Sequence, residues 1–301
     1  MLKKLSDLHE IVRKRKEPKR LVLAAAHDEH SLEAVSQAAK KKYIEAILVG
    51  DADEIKRLAE VNKKVDVTDF QIIHEPDFGE AVAKAVKLVH YGEADILMKG
   101  NVGTSVLLKG VLNKEWGLRK ADVLSHIALF EVEAYHHKLL ALTDVAMNIA
   151  PDLNTKIAII SNSVDFLRKI GVQTPKVAVL GAVELVNESM PATIDAALLS
   201  KMAERGQIKD CIIDGPLAFD NAISAESAKH KGIKSSVAGD ADLLLLPDIE
   251  AGNVLYKSFV FFANAKVAAV ILGARAPIVL TSRSDKEESK LDSIVLAAAI
   301  D

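Results

Sequence analysis

Short apolar runs rich in β-branched residues alternate along the chain with longer stretches whose apolar positions recur every three or four residues. The runs predict strands at Arg20–Ala26, Glu45–Gly50, Phe70–His74, Ala94–Lys99, Leu124–Phe130 and Lys138–Asp144. A second series falls at Lys176–Gly181, Asp210–Asp214, Asp242–Pro247, Ala268–Gly273 and Pro277–Ser282. The helical periodicity predicts helices at Ser31–Lys42, Asp53–Val61, Phe78–His90, Leu153–Ile170, Ala192–Arg205 and Asp285–Ala299. Strands and helices taking turns in this way mark an α/β protein with largely parallel sheets flanked by helices. The turn-rich stretch Asn148–Asp152 is the best candidate for a domain boundary, and Gly273–Pro277 forms a second break near the C-terminus. The strand and helix beyond that second break are short for a domain of their own, which leaves open whether they rejoin the first.

Composition agrees with this class. Half of the 301 residues are hydrophobic but only 4% are aromatic, so Ala, Val, Leu and Ile must fill the core, as in a sheet covered on both faces. The formal net charge of -3, with basic residues spread along the chain, speaks against a general nucleic-acid binder. The basic opening (Lys3, Lys4, Arg13 to Lys16, Lys19, Arg20) reads as a solvated helix face. A single cysteine, Cys211, excludes an intramolecular disulfide, and its place beside Ile212 and Ile213 predicts a buried core residue. Neither a signal peptide nor an apolar stretch of membrane-spanning length is present, so a cytoplasmic protein with no membrane partner is expected.

In open α/β sheets ligands collect beyond the carboxyl ends of the strands, so the chemistry is sought in the loops that follow them. The richest is Met98–Ser105. Gly100 and Gly103 let backbone approach an anion, Thr104 and Ser105 are candidate caps for a helix whose free N–H groups favour negative charge, and Lys99 and Lys109 add positive charge. The second is Thr281–Asp285. There Ser284 and Glu287 have capping-box spacing, and Arg283, next to Ser282, could hold a phosphate with its fork. Asp144 and Asn148, at the mouth of another strand, could bind a ligand or simply shape a hinge. Pro247–Asn253 and Asp214–Pro216 suit either a cleft wall or ordinary turns. His126, in an apolar strand, reads as a satisfied core histidine. The pair His136–His137 lacks metal-ligand spacing to any carboxylate or cysteine, so no metal is expected. A Gly-x-Ser-x-Gly elbow is missing, which argues against a serine hydrolase. The residues themselves support an anion-handling α/β protein.

Several of these motifs, in order, resemble the phosphate acetyl/butyryltransferase family, and most closely its butyryl branch. They are Met98–Thr104, Thr143–Pro151, Gly181–Glu184 with Met190–Pro191, Asp214–Asp220, Gly239–Asp242, Pro247–Asp248 with Ala251–Asn253, and Ser282–Arg283, covering nearly the whole chain. The resemblance implies two α/β domains of isocitrate-dehydrogenase-like architecture with the active cleft between them. It also implies that the C-terminal strand and helix return to the first domain. That gives residues 1–149 plus 275–301 as the first domain and residues 150–274 as an inserted second one. The implied reaction is acyl-CoA plus phosphate giving acyl phosphate plus CoA, reversibly; because Cys211 sits in an apolar run and no His stands at a recognisable motif position to activate Ser282, direct attack in a ternary complex is expected. Its substrates are coenzyme A and phosphate, with no tightly bound cofactor and no metal, in a homo-oligomer of two or more copies.

Carried over by position, the family's Ser-Arg motif falls on Ser282 and Arg283, the arginine on phosphate and the serine stabilising the transition state. Lys109 stands where the acetyl enzymes have an arginine, which keeps the charge and loses the fork. Ser289 stands where they have an aspartate proposed as base for the CoA thiol. Glu288 or Asp285 are substitutes for it, unless the thiol ionises without a side-chain base. The expected catalytic set is therefore Ser282, Arg283 and Glu288. The expected binding set is Lys99, Gly100, Asn101, Gly103, Thr104, Lys109, Asp144, Asn148 and Ser289.

Overall fold

The computed structural model describes residues 2–135, 137–280 and 286–300. In chain order the elements begin α1 (Leu5–Arg13), β1 (Lys19–Ala24), α2 (Glu29–Lys40), β2 (Ile44–Gly50), α3 (Ala52–Val61), β3 (Gln71–His74), α4 (Phe78–His90), β4 (Ile96–Lys99) and α5 (Thr104–Val111). They continue with β5 (Ser125–Glu131), β6 (Leu140–Thr143), α6 (Leu153–Lys169), β7 (Lys176–Leu180), α7 (Pro191–Glu204), β8 (Ile212–Leu217), α8 (Phe219–Ile223) and α9 (Ala225–His230). The last are β9 (Leu243–Leu245), α10 (Ile249–Phe261), β10 (Lys266–Leu272), β11 (Ile278–Val279) and α11 (Glu287–Ala299). Among the described residues no helix is long and apolar enough to cross a membrane.

The chain packs as two units, residues 6–122 with 268–301 and residues 1–5 with 123–267. In the first, the strand order is β3-β2-β1-β4-β11-β10; pairing is parallel from β3 to β11, and β10 runs antiparallel to β11. β11 thus lies beside β4, and α11 packs on α2 and β11. From Lys290 onward α11 is buried on every side, and two of its buried polar residues, Asp292 and Ser293, are paired. Asp292 meets His9 at 2.8 Å, and Ser293 Oγ donates to the Ser289 carbonyl while accepting the Ala269 N–H.

In the second unit the order is β5-β6-β9-β7-β8, with β5 and β6 antiparallel and the rest parallel. Below the amino ends of β7 and β9, the buried Lys138 ammonium meets Asp242 at 2.7 Å and the Asp240 carbonyl at 2.8 Å. The other Asp242 oxygen accepts the Lys176 N–H at 2.8 Å. Each buried charge is therefore both paired and hydrogen-bonded, the condition under which burial is tolerated.

Several helices start where an aspartate caps them. Asp28 accepts the Ser31 N–H, Asp77 that of Glu80, Asp152 that of Thr155 and Asp248 that of Ala251. Each cap directly follows a strand-end loop, so these short carboxylates set the edge at which the loops gather. Four details differ from the sequence reading. The predicted strand at Asp210 starts at Ile212 instead, because Asp210 holds a left-handed backbone (φ 64°). Cys211, expected in the core, is half-buried ahead of that strand. Pro247–Asn253, read as a loop, opens α10 at Ile249. Finally, Asn148–Asp152 lies inside the second unit, and the packing units part at Asp122/Val123 and Val267/Ala268.

Candidate functional site

In the first unit, β1 and β4 run side by side, so the loops leaving them touch. Beyond β1, Ala25 turns into the left-handed region (φ 55°) and aims its carbonyl at the β4 loop. Gly100 N–H donates to the Ala24 carbonyl and Asn101 N–H to the Ala25 carbonyl, both at 2.9 Å. Gly100 has to be glycine. A Cβ there would run into the Ala25 carbonyl oxygen and come within 2.7 Å of that of Ala24.

Lys99 is 8% exposed and points its ammonium under the loop, onto the carbonyls of Gly100 and Val102 at 3.1 Å each. It thus fixes the loop's shape and sets a positive charge beneath it. The amides of Gly100, Asn101 and Val102 are all spent inside the fold. The groups left to an anion are further on. α5 is capped by Gly103, which has no side chain to cap with, and the amides of Gly103, Thr104 and Ser105 donate to no described group. Thr104 and Ser105, expected to cap, are instead the first two helical residues, exposed at the positive end of the helix. Lys109 is exposed one turn beyond Ser105 on the same face, and helical side chains lean back toward the N-terminus, toward those amides.

Ser282, Arg283, Ser284 and Asp285 lie outside the described residues. Among the described residues the N-cap of α11 is Lys286, whose side chain makes no capping bond to the helix. The Glu287 carboxylate instead takes Gln37 and Lys64. Glu288 is exposed in the first turn of α11, and Ser289 follows half-buried.

In the second unit, Asp144 is 3% exposed and its carboxylate is spent on its own loop. Oδ1 accepts the N–H groups of Ala146 and Met147 at 2.9 and 3.0 Å, and Oδ2 accepts Asn148 Nδ2 at 2.6 Å. Asn148 also donates to the Leu124 carbonyl. Of the two roles open at the sequence level, the structure fills the loop-shaping one. Gly252 of α10 closes on this loop so tightly that a Cβ would lie 2.6 Å from the Asp144 carbonyl oxygen.

His126 corrects the expectation of a satisfied core histidine. Its ring is packed edge-on to Tyr256 and makes no hydrogen bond to any described group, with Nδ1 enclosed and unpaired. Such an orphan costs about 1–3 kcal/mol. Burial pushes the imidazole pKa down and the Asp144 charge pulls it back up, burial being the larger, so the ring is neutral. The sequence offered one signal for it, a lone histidine in an otherwise apolar strand.

A family model described as phosphate acetyl/butaryl transferase matches residues 5–82 and 63–298. The chain belongs to the phosphate acetyl/butyryltransferase family. It is 50% identical over 298 residues to a phosphate butyryltransferase of Clostridium acetobutylicum, covering 98% of each chain. It is 47% identical to a phosphate acetyltransferase of Thermotoga maritima, over 93% of this chain and 94% of that one. Among solved structures, a branched-chain phosphotransacylase from Enterococcus faecalis superposes with a TM-score of 0.82 at 36% identity, over 93% of this chain and 98% of that one.

Proposed function

We propose that this chain is a phosphate butyryltransferase, moving a short acyl group reversibly between coenzyme A and inorganic phosphate. The observation that carries the reading is the 50% identity to the Clostridium acetobutylicum enzyme across 98% of both chains. Phosphate oxygen attacks the thioester carbonyl carbon and an oxyanion forms. Its collapse breaks the C–S bond, and the thiolate leaves with the electron pair. The amides of Gly103, Thr104 and Ser105, backed by Lys109 and by Lys99 beneath the loop, suit the anionic phosphate. Arg283 adds a bidentate grip, and Ser282 donates to the oxyanion or the leaving sulfur. In the reverse direction Glu288, beside Ser289, takes the proton of the CoA thiol. Coenzyme A and phosphate are substrates, and these steps call for no resident cofactor.

Direct attack in a ternary complex needs no protein nucleophile. Phosphate arrives already anionic, whereas burial pushes the Cys211 thiol up to about 11, leaving it protonated near neutrality. Cys211→Ser is accordingly expected to keep its activity. Initial-rate lines should intersect when acyl-CoA and phosphate are varied together. Parallel lines, with an acylated peptide recovered after exposure to acyl-CoA alone, would instead point to Ser282 as a nucleophile.

The 47% identity to an acetyl enzyme makes chain length the decisive test. Phosphate-dependent CoA release is to be measured with acetyl-, propionyl-, butyryl- and isobutyryl-CoA. Two buried methylenes at about 0.8 kcal/mol each should favour butyryl over acetyl by about fifteenfold in kcat/KM. Equal or better turnover of acetyl-CoA would move the chain to the acetyl branch.

A further inference from the structure

We propose that His126 binds substrate, its imidazole Nε2–H donating to a neutral carbonyl of the bound acyl-CoA, on the thioester or on an amide of the pantetheine arm. The proposal rests on the acyltransferase reading above.

The placement comes from strand pairing. β5 and β6 pair Phe130 with Leu140, Leu129 with Ala141 and Ala128 with Leu142, and the same register two places on sets His126 opposite Asp144. Thr143 Oγ1 donates to the His126 carbonyl at 2.9 Å, holding the strand down at that point. His126 therefore stands at the carboxyl edge of the parallel strands β6, β9, β7 and β8, where the loops of this unit gather.

Among the described residues nothing satisfies the ring. Both Asp144 oxygens are committed to Ala146, Met147 and Asn148, and Tyr256 meets the imidazole as a ring, edge to face at 6.3 Å. Nδ1 is walled in without a partner, whereas Nε2, equally unbonded, is not enclosed. A walled-in nitrogen is better left as a bare lone pair than as a stranded N–H, so the single proton of the neutral ring belongs on Nε2. The side chain, in a residue only 6% exposed, thus presents one donor at the carboxyl edge of the strands.

Charge decides what that donor takes. The Asp144 carboxylate across the pair of strands repels phosphate, and a neutral imidazole brings no compensating charge. A thioester or amide carbonyl accepts the N–H and adds no charge. Acyl-CoA carries such carbonyls on both its acyl end and its pantetheine arm.

The test is calorimetric titration of butyryl-CoA and of free CoA into the wild-type chain and into His126→Leu, His126→Gln and His126→Asn, with steady-state kinetics alongside. Gln places its amide where Nε2 stands, and Asn places it where Nδ1 stands. His126→Leu and His126→Asn are expected to weaken butyryl-CoA at least tenfold and leave the KM for phosphate unchanged, with His126→Leu melting no lower than wild type because it removes the unpaired nitrogen. His126→Gln should recover most of the loss. Weakening confined to butyryl-CoA assigns the thioester carbonyl, and equal weakening of free CoA assigns a pantetheine amide. Wild-type affinity in the Leu variant, Asn rescuing as well as Gln, or a change confined to the phosphate KM would overturn the proposal. Titration needs no turnover. A wild-type chain that binds these ligands but releases no CoA with phosphate would sink the acyltransferase reading alone.

Discussion

Gly100→Ala is expected to lower kcat/KM for phosphate at least about a hundredfold, the scale of loss for reacting groups displaced by about 1 Å. The added Cβ meets two backbone carbonyl oxygens, those of Ala24 and Ala25, and no flexible side chain is there to yield. The same carbonyls hold the loop through the Gly100 and Asn101 N–H groups, so making room breaks the bonds that aim it. Overpacking of this kind costs about 1–3 kcal/mol of stability, which a thermal melt will report. Gly103→Ala is the contrasting variant. Among the described residues its Cβ would meet only Ser105 Oγ, at 3.9 Å, so its melt should match wild type. Wild-type kcat/KM in Gly100→Ala would remove this loop from the site.

Most strands and several helices were legible because their signals are local. β1, β2, β4 and β7 are short apolar runs bounded by turn residues, and α4 fills its predicted span Phe78–His90. α10 was not legible, for a physical reason. Of its residues only Gly252 and Phe259 are buried, while Val254 and Phe261 are exposed, so its apolar positions trace no single face. α11 hid its start differently. The spacing of Ser284 and Glu287 suggested a reciprocal cap, but the Glu287 carboxylate is drawn away by Gln37 and Lys64, partners some 220 residues or more distant in sequence.

The candidate site divides along the same line. That an anion-handling loop follows β4 could be read from its glycines and lysines. Which of its amides stay free could not, because this depends on the carbonyls of Ala24 and Ala25, contributed by another strand about 75 residues away. Asp144 and Asn148 were visible as a polar pair at a strand end. Their mutual bond, and the resulting loss of Asp144 as a free ligand, required the loop's own fold. His126 was visible only as an oddity. Its meaning depends on a cross-strand register that no local pattern encodes.

The largest effect of a single side chain is expected at Arg283. It lies between β11 and α11, three residues ahead of the Lys286 N-cap, outside the described residues, and the case for it is chemical. An arginine fork can give phosphate two parallel charge-assisted bonds that persist as charge redistributes in the transition state. Removing such a grip costs about 2–4 kcal/mol, or about 30- to 1,000-fold in kcat/KM for phosphate. Arg283→Ala should show that loss with a raised phosphate KM and an unchanged melt, while titrated butyryl-CoA affinity changes little. Arg283→Lys separates charge from geometry. It keeps the positive charge and gives up the fork, so its activity should fall between the two. If Lys restores full activity, charge alone is required; if Ala keeps wild-type kinetics, phosphate is held elsewhere and the free amides at the start of α5 become the main anion site.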